Sequence, residues 1–354
     1  MSQLVYRGLR KILCLRLRSM GDAVLMTPAL DALRSALPNA KLYVVLAKEL
    51  ADLLEGHRSV DEVLPLGRGS FDKISLAKRL RGIGFDAAIN FHGGPTSAWL
   101  TAASGAPLRV GRNNYRFRMA YNLRVGRPEE VFADPTATHT VHDQASLVAA
   151  LGVPVPDLLP SLRAPAEARA PMSRRLGELG VSSKDYLLFQ PTASFPSKQW
   201  PAKRFLELGR ALKERTGRPV VVSLPGPQHS LAEFFSPELP VASDLTSGEL
   251  MALIESASLY VGNDSGPMHV AAALGTPVVG IFGSSDPKRW HPWGVPHRAI
   301  AAGLECSPCH GKWCVNPAQF ACLMELPVER ILDAALELLP AVIAEQGRAK
   351  GRMT

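Results

Sequence analysis

Residues 12–17 form a short apolar run that ends in Arg18-Ser19-Met20-Gly21-Asp22. Val24, Leu25, Ala29, Leu30, Leu33 and Leu37 then recur at helical spacing until Pro38-Asn39. This pattern predicts a strand, a loop and a helix. It continues with a strand over 41–46, a short helix over 50–55, an apolar run over 60–64, a helix over 75–81 and a strand over 87–91. Strands alternating with helices predict an α/β fold, a parallel sheet with helices on its faces.

Between residues 153 and 171, prolines fall at positions 154, 156, 160, 165 and 171, the most linker-like composition in the chain, and a domain boundary is expected there. The alternation then restarts. Strands are predicted over 186–190, 220–224, 259–262 and 278–282, with helices over 202–215, over 249–257 and from Pro267. A last helix, about 327–346, ends in a basic tail, Arg348 to Arg352. The expected division is a first domain over 1–165, a second over 172–330, and a C-terminal helix and tail over 331–354. Two doubly wound domains facing each other would leave a cleft. Ligands of such sheets sit beyond the carboxyl ends of the strands, so chemistry is expected in the loops that follow them.

At 354 residues, with 46% hydrophobic and 20% charged residues, the chain has room for two cores and is neither disordered nor fibrous. Its longest apolar stretches, such as 270–282, are broken by Gly275 and Pro277 and fall short of a membrane span. The first 17 residues carry Arg7, Arg10, Lys11 and Arg16 inside their apolar positions, so no secretory signal is expected and the protein is expected in the cytoplasm. A net charge of +8 favours acidic partners. From Ala87 to Pro128 there is no acidic residue, while Arg109, Arg112, Arg116, Arg118, Arg124 and Arg127 fall there among Tyr115, Phe117 and Tyr121. That stretch reads either as a solvated basic face or as a surface for a phosphorylated or carboxylated ligand.

Four loops carry candidate chemistry. Ser19-Met20-Gly21-Asp22 delivers a carboxylate to the start of a helix, where it reads as an N-cap or as a proton acceptor kept ionised by the helix dipole and by Arg16 or Arg18. Pro191 to Pro201 offers the hydroxyls of Thr192 and Ser194 and the ammonium of Lys198 as a cradle for phosphate, without the spacing of a P-loop. In Gly262-Asn263-Asp264-Ser265-Gly266-Pro267-Met268-His269, a strand hands Asp264 to a helix start whose amides favour an anion; the bland alternative is a capped, buried helix. Gly283 to Trp293 is a polar aromatic loop that lines a cleft or closes the domain.

Taken in order, Arg-Ser-Met-Gly-Asp, Pro-Thr-Ala-Ser-Phe-Pro-Ser-Lys-Gln-Trp-Pro and Asn-Asp-Ser-Gly-Pro-Met-His-Val-Ala-Ala-Ala-Leu-Gly-Thr-Pro resemble the heptosyltransferase family of glycosyltransferases over nearly the whole chain. The resemblance implies a GT-B fold, two Rossmann-like domains with the acceptor on the first and the nucleotide sugar mainly on the second. It implies inverting transfer of heptose from ADP-heptose to the inner core of lipopolysaccharide at the inner membrane face, with no nucleic acid partner. By position, Asp22 matches the catalytic base. Thr192, Ser194 and Lys198 match the diphosphate loop, and Asp264, Ser265, Gly266 and His269 the second donor loop. Leu245, ahead of a Thr246–Glu249 capping box, matches a residue near the adenine.

Among the arginines, Arg109, Arg112, Arg116 and Arg118 are the expected contacts of a phosphorylated acceptor. A lysine and helix amides suffice to stabilise a departing diphosphate, so no cofactor or divalent ion is expected in catalysis. Where the family often carries an acidic residue, this chain reads Gly226-Pro227-Gln228-His229, which leaves another nucleotide-sugar donor as the alternative. A non-catalytic nucleotide- or nucleic-acid-binding protein is the reading from another class. Five cysteines is an odd number. Four of them, Cys306, Cys309, Cys314 and Cys322, crowd into one segment that reads as a structural metal site, as packing thiols or as a redox-labile pair.

Overall fold

The computed structural model describes residues 5–224, 226 and 229–350. Contacts divide the chain into two units, Met1–Leu162 and Arg163–Thr354. The first holds a six-stranded sheet in the order β3-β2-β1-β4-β5-β6. Its strands are β1 (Lys11–Leu15), β2 (Lys41–Ala47), β3 (Glu62–Leu66), β4 (Ala87–Asn90), β5 (Leu108–Arg112) and β6 (Leu123–Val125). The second holds a six-stranded sheet in the order β12-β11-β10-β7-β8-β9. Here β7 is Leu187–Gln190, β8 Val220–Leu224, β9 Val241–Ser243, β10 Leu259–Asn263, β11 Val278–Phe282 and β12 His297–Ala301.

Every strand pair in both sheets is parallel. Counted from its own first strand, each sheet runs 3-2-1-4-5-6, the doubly wound order. The order reverses between β1 and β4 in one unit and between β7 and β10 in the other. With strands buried on both faces, β1, β4, β7, β8, β10 and β11 are almost continuously apolar, as parallel sheets require.

Local chemistry explains where the elements break. The helix expected after Asp22 is two helices, Met20–Leu25 and Thr27–Ala36, because Pro28 has no N–H to give the Val24 carbonyl. The Thr27 hydroxyl takes that place, donating to Val24 O at 2.7 Å. The Thr27 hydroxyl oxygen in turn accepts the Ser161 amide at 2.9 Å, so the last residues of the first unit are tied back to this break. The short helix expected over 50–55 is a 3₁₀ helix, Lys48–Leu53. The helix expected over 75–81 starts earlier, as Ser70–Ile83, with Asp72 accepting the Gly69 amide at 3.0 Å.

Part of the proline-rich segment is helical. Ala166–Glu178 forms with Pro171 inside it, burying Ala168, Met172 and Leu176 at i, i+4 and i+8 and packing on the helix Ser247–Glu255. At the other end, Val328–Lys350 packs on the helix Ala202–Thr216 and on β10, β11 and β12, so it closes the core of the second unit. Pro227 and Gln228 of the expected donor turn, and residues 351–354 of the basic tail, lie outside the described residues. Among those that are described, no helix is long and apolar enough to cross a membrane.

Candidate active site

In the first unit, the reversal between β1 and β4 opens the sheet beyond their carboxyl ends, and Asp22 stands there. Ser19 is the N-cap of Met20–Leu25 and Asp22 its third residue, so the carboxylate turns back on the cap: Oδ2 accepts the Ser19 hydroxyl at 2.8 Å and the Ser19 amide at 3.3 Å. The other oxygen, Oδ1, pairs with Arg16. Arg16 also donates to the Phe91 carbonyl, which follows β4, so one guanidinium spans both strands of the reversal. Burial pushes the Asp22 carboxyl up, but Arg16 and Ser19 outweigh it and hold the group below its ordinary value. The N-cap is Ser19 and not Asp22, whose carboxylate closes the capping box while it is held ionised, and Arg16 rather than Arg18 supplies the charge.

His92 lies against the same loop, a residue that sequence reasoning missed. Asn90, fully buried at the end of β4, accepts the amides of His92 and Gly93 at 2.9 Å each and donates to Thr101 and Tyr121 at 3.0 Å. The His92 ring Nδ1 lies 3.1 Å from the Arg18 carbonyl oxygen. A carbonyl only accepts, so Nδ1 carries the hydrogen and Nε2 is left as an acceptor. Burial, together with Arg16 and Arg18, lowers the imidazole pKa and keeps the ring neutral at pH 7. Gly93 has φ +74°, and a Cβ there would stand 2.5 Å from the Tyr115 ring; both facts demand glycine.

In the second unit, the reversal lies between β7 and β10, and it brings two of the expected site residues together. Lys198 Nζ is 2.7 Å from Asp264 Oδ2, with the lysine side chain 26% exposed and the aspartate 4%. Asn263, fully buried at the end of β10, accepts the Trp200 amide at 3.0 Å and donates to the Pro191 carbonyl at 2.8 Å, which locks the loop after β7 to the loop after β10. Its only sequence signal is an amide at the end of an apolar strand.

Around that lock, Thr192 is buried and accepts Gln190 Nε2 at 2.6 Å, while Ser194 is exposed. The helix Gly266–Ala273 begins with Ser265 as N-cap, so its first-turn amides point beyond the strand ends without helical acceptors. His269 is buried in that helix, its ring 6.1 Å from the Trp290 ring. Leu245 follows β9, the edge strand, half-buried ahead of the Thr246–Glu249 capping box, which forms as read, with Thr246 N donating to Glu249 at 2.9 Å.

The arginines of 109–118 divide by role. Arg112 is buried, pairs with Asp143 at 2.9 Å and donates to Ser146 Oγ at 2.6 Å. Arg109 donates to the carbonyls of Ala120 and Ala106 at 2.9 and 2.8 Å. Arg109 thus fixes the connection from β5 to β6, and Arg112 ties the end of β5 to the helix Thr140–Ala149. Arg116 and Arg118 are exposed, Arg116 lying 5.7 Å from the centre of the Phe117 ring.

The metal reading of the cysteine segment is corrected. All four thiols are free, and among the described residues no group of three or more His, Cys, Asp or Glu is arranged to hold an ion. Two thiols instead serve the loop as acceptors, Cys306 from Asn316 Nδ2 at 3.3 Å and Cys314 from the Phe320 amide at 3.2 Å. The segment braces the loops after β7 and β11: Ser197 Oγ donates to Gly311 O at 2.7 Å, and the His310 amide to Ser284 O at 2.7 Å.

Similarity to known proteins agrees with these two reversals. The chain is 29% identical over 344 residues to lipopolysaccharide heptosyltransferase 3 of Escherichia coli K12, with 92% of this chain and 96% of that protein covered. A glycosyltransferase family 9 structure from Veillonella parvula superposes with a TM-score of 0.79 at 24% identity, covering 94% and 97% of the two chains. The E. coli heptosyltransferase WaaC with ADP-2-deoxy-2-fluoro heptose gives 0.67 at 21% identity, covering 91% and 99%. Residues 73–319, well over half of the chain, match the family defined as glycosyltransferase family 9 (heptosyltransferase), and the chain is a member of that family.

Proposed function

We propose that this glycosyltransferase moves a heptose, with inversion, from ADP-heptose to the inner core of lipopolysaccharide, the first unit taking the acceptor and the second the donor. The observation that carries the reading is the Asp22 carboxylate, held ionised by Arg16 and Ser19 at the β1–β4 reversal. As the acceptor hydroxyl oxygen attacks the anomeric carbon, its proton passes to Asp22 and the bond from that carbon to the diphosphate breaks. ADP leaves with the bonding pair. Lys198 and the first amides of the helix Gly266–Ala273 meet the charge that develops, so no divalent cation is needed. Thr192 and Ser194 add donors to the diphosphate, Asp264 orients Lys198, and Leu245 and His269 complete the donor side. Arg116 and Arg118 meet the acidic acceptor.

The names of the relatives support the donor and acceptor classes: the E. coli K12 relative is a lipopolysaccharide heptosyltransferase, and one structural neighbour holds an ADP-heptose analogue. A thermal-shift panel of ADP, UDP, GDP and CMP with their sugars tests the donor, because a ligand at 100 times its Kd adds about 2.7 kcal/mol of stability. A shift confined to ADP and ADP-heptose, transfer to a core acceptor that persists in EDTA, and an inverted anomeric configuration by NMR are the expected results. A preference for another nucleotide changes the donor, loss of transfer in EDTA overturns the metal-free step, and no shift with any nucleotide overturns the reading as a whole.

A further inference from the structure

The first unit carries an apolar surface beside its reversal point that the transfer reaction does not use. Met119 is 90% exposed and Phe71 81%, and Ile74 and Trp99 are exposed with them. Phe71 and Ile74 lie one turn apart on the helix Ser70–Ile83, and Lys78 and Arg81 continue that stripe. Arg81 reaches Gly105, where a Cβ would collide with its side chain, so the stripe is turned toward the helix Pro95–Ala103 that ends there. That helix carries Trp99 and packs on the 3₁₀ turn Arg118–Ala120, which holds Met119. The apolar groups therefore follow one another across three packed elements. Phe71 starts its helix just after β3, and Met119 follows β5, so both lie at the carboxyl ends of the strands, on the same side of the sheet as Asp22.

We infer that this face, Phe71, Ile74, Trp99 and Met119 with their basic neighbours, docks the enzyme on an anionic lipid bilayer. Charge selects the occupant. Lys78 and Arg81 stand on the helix of Phe71 and Ile74, Arg118 shares the turn of Met119 with Arg116 just before it, and no acidic residue occurs from Ala87 to Pro128. Asp72, the acid within the stripe's helix, is engaged as that helix's own cap. A second copy of this chain would bring one cationic face against another, whereas anionic headgroups neutralise the cations while Trp, Phe and Met enter the boundary between headgroups and acyl chains. The face would hold the acceptor side at the surface that carries a lipid-linked acceptor. In that respect alone the inference rests on the proposed function.

Co-sedimentation with vesicles, without donor or acceptor, tests it, so it can fail or succeed independently of the transfer reaction. The protein is expected to pellet with phosphatidylcholine vesicles containing phosphatidylglycerol, less so as salt is raised, and to stay in solution with phosphatidylcholine alone. The double variant Phe71→Ser, Met119→Ser should partition about tenfold more weakly or worse, with its ADP thermal shift unchanged. Should that variant fold poorly, brominated lipid in the mixed vesicles should quench the tryptophan fluorescence of the wild-type protein and quench Trp99→Phe measurably less. Equal pelleting of wild type and double variant, no pelleting with either vesicle, or equal quenching of wild type and Trp99→Phe would overturn the inference. So would sedimentation velocity showing a dimer that the double variant dissolves, since a second copy would then cover the face.

Discussion

The two reversal points share one topology and opposite polarity. Each places a partly buried cation–carboxylate pair beyond the strand ends: Arg16 with Asp22 in the first unit, Lys198 with Asp264 in the second. In the first, the carboxylate is the more exposed partner, 16% against 11% for Arg16, and the arginine is anchored on the Phe91 carbonyl. In the second, the lysine is the more exposed partner, 26% against 4% for Asp264. The cation holds the acid in one unit and the acid holds the cation in the other. On the proposed reading, one fold yields a proton acceptor and an anion-binding charge by exchanging which member of the pair is the more exposed.

Exchanging or removing those members breaks the comparison at measurable places. Asp22→Asn is expected to lower kcat by about three orders of magnitude while ADP affinity stays constant, by steady-state kinetics and calorimetry. An equal loss of ADP affinity would remove the division of labour between the units. Lys198→Met should lower kcat/KM about a hundredfold and weaken ADP as well, since in the proposed reaction the ammonium meets the leaving diphosphate in binding and in the transition state.

Arg16→Met removes the charge and the hydrogen bond that most lower the Asp22 pKa, so burial carries the folded-state value upward. The acid limb of the kcat/KM profile should move to higher pH, with about tenfold lower activity at neutral pH. Stability should respond in parallel. The wild-type carboxylate stabilises the fold above its unfolded pKa and loses that contribution as pH falls through the depressed folded value. In Arg16→Met the smaller depression leaves less stability to lose on acidification, so urea unfolding at neutral and acid pH should differ less than in the wild type. The smallest effect is expected from Asp264→Asn, which keeps the lysine charge but removes its anchor: donor affinity should fall about fivefold, the equivalent of one hydrogen bond.

Both reversal points were legible in the sequence because each strand there is an apolar run closed by a glycine- or proline-marked loop and followed by a capped helix. What stayed hidden has physical causes. The strand β5 reads Leu-Arg-Val-Gly-Arg, and its arginines look like surface charge although Arg112 is buried against carbonyls and Asp143. The helix Pro95–Ala103 is small and apolar on every side, so it shows no period. The proline count of 153–171 pointed to a linker, yet burial of Ala168, Met172 and Leu176 outweighs the hydrogen bond that Pro171 cannot make. His92 and Asn263 act through partners 74 and 63 residues away, and nothing local announces such contacts.

The closing helix of the second unit has a consequence for the order of assembly during synthesis. The first unit has all its core partners once Leu162 has been made, and its Leu13, Val45, Leu64 and Leu100 can close on one another at once. The second unit cannot. Its core includes Ile331, Ala335 and Leu338, on a helix that packs against β10 and β11, strands made more than forty residues earlier. Until that helix is made, the faces of those strands that Val328–Lys350 covers have no partner, and this half of the nascent enzyme is the one that chaperones would meet unfolded.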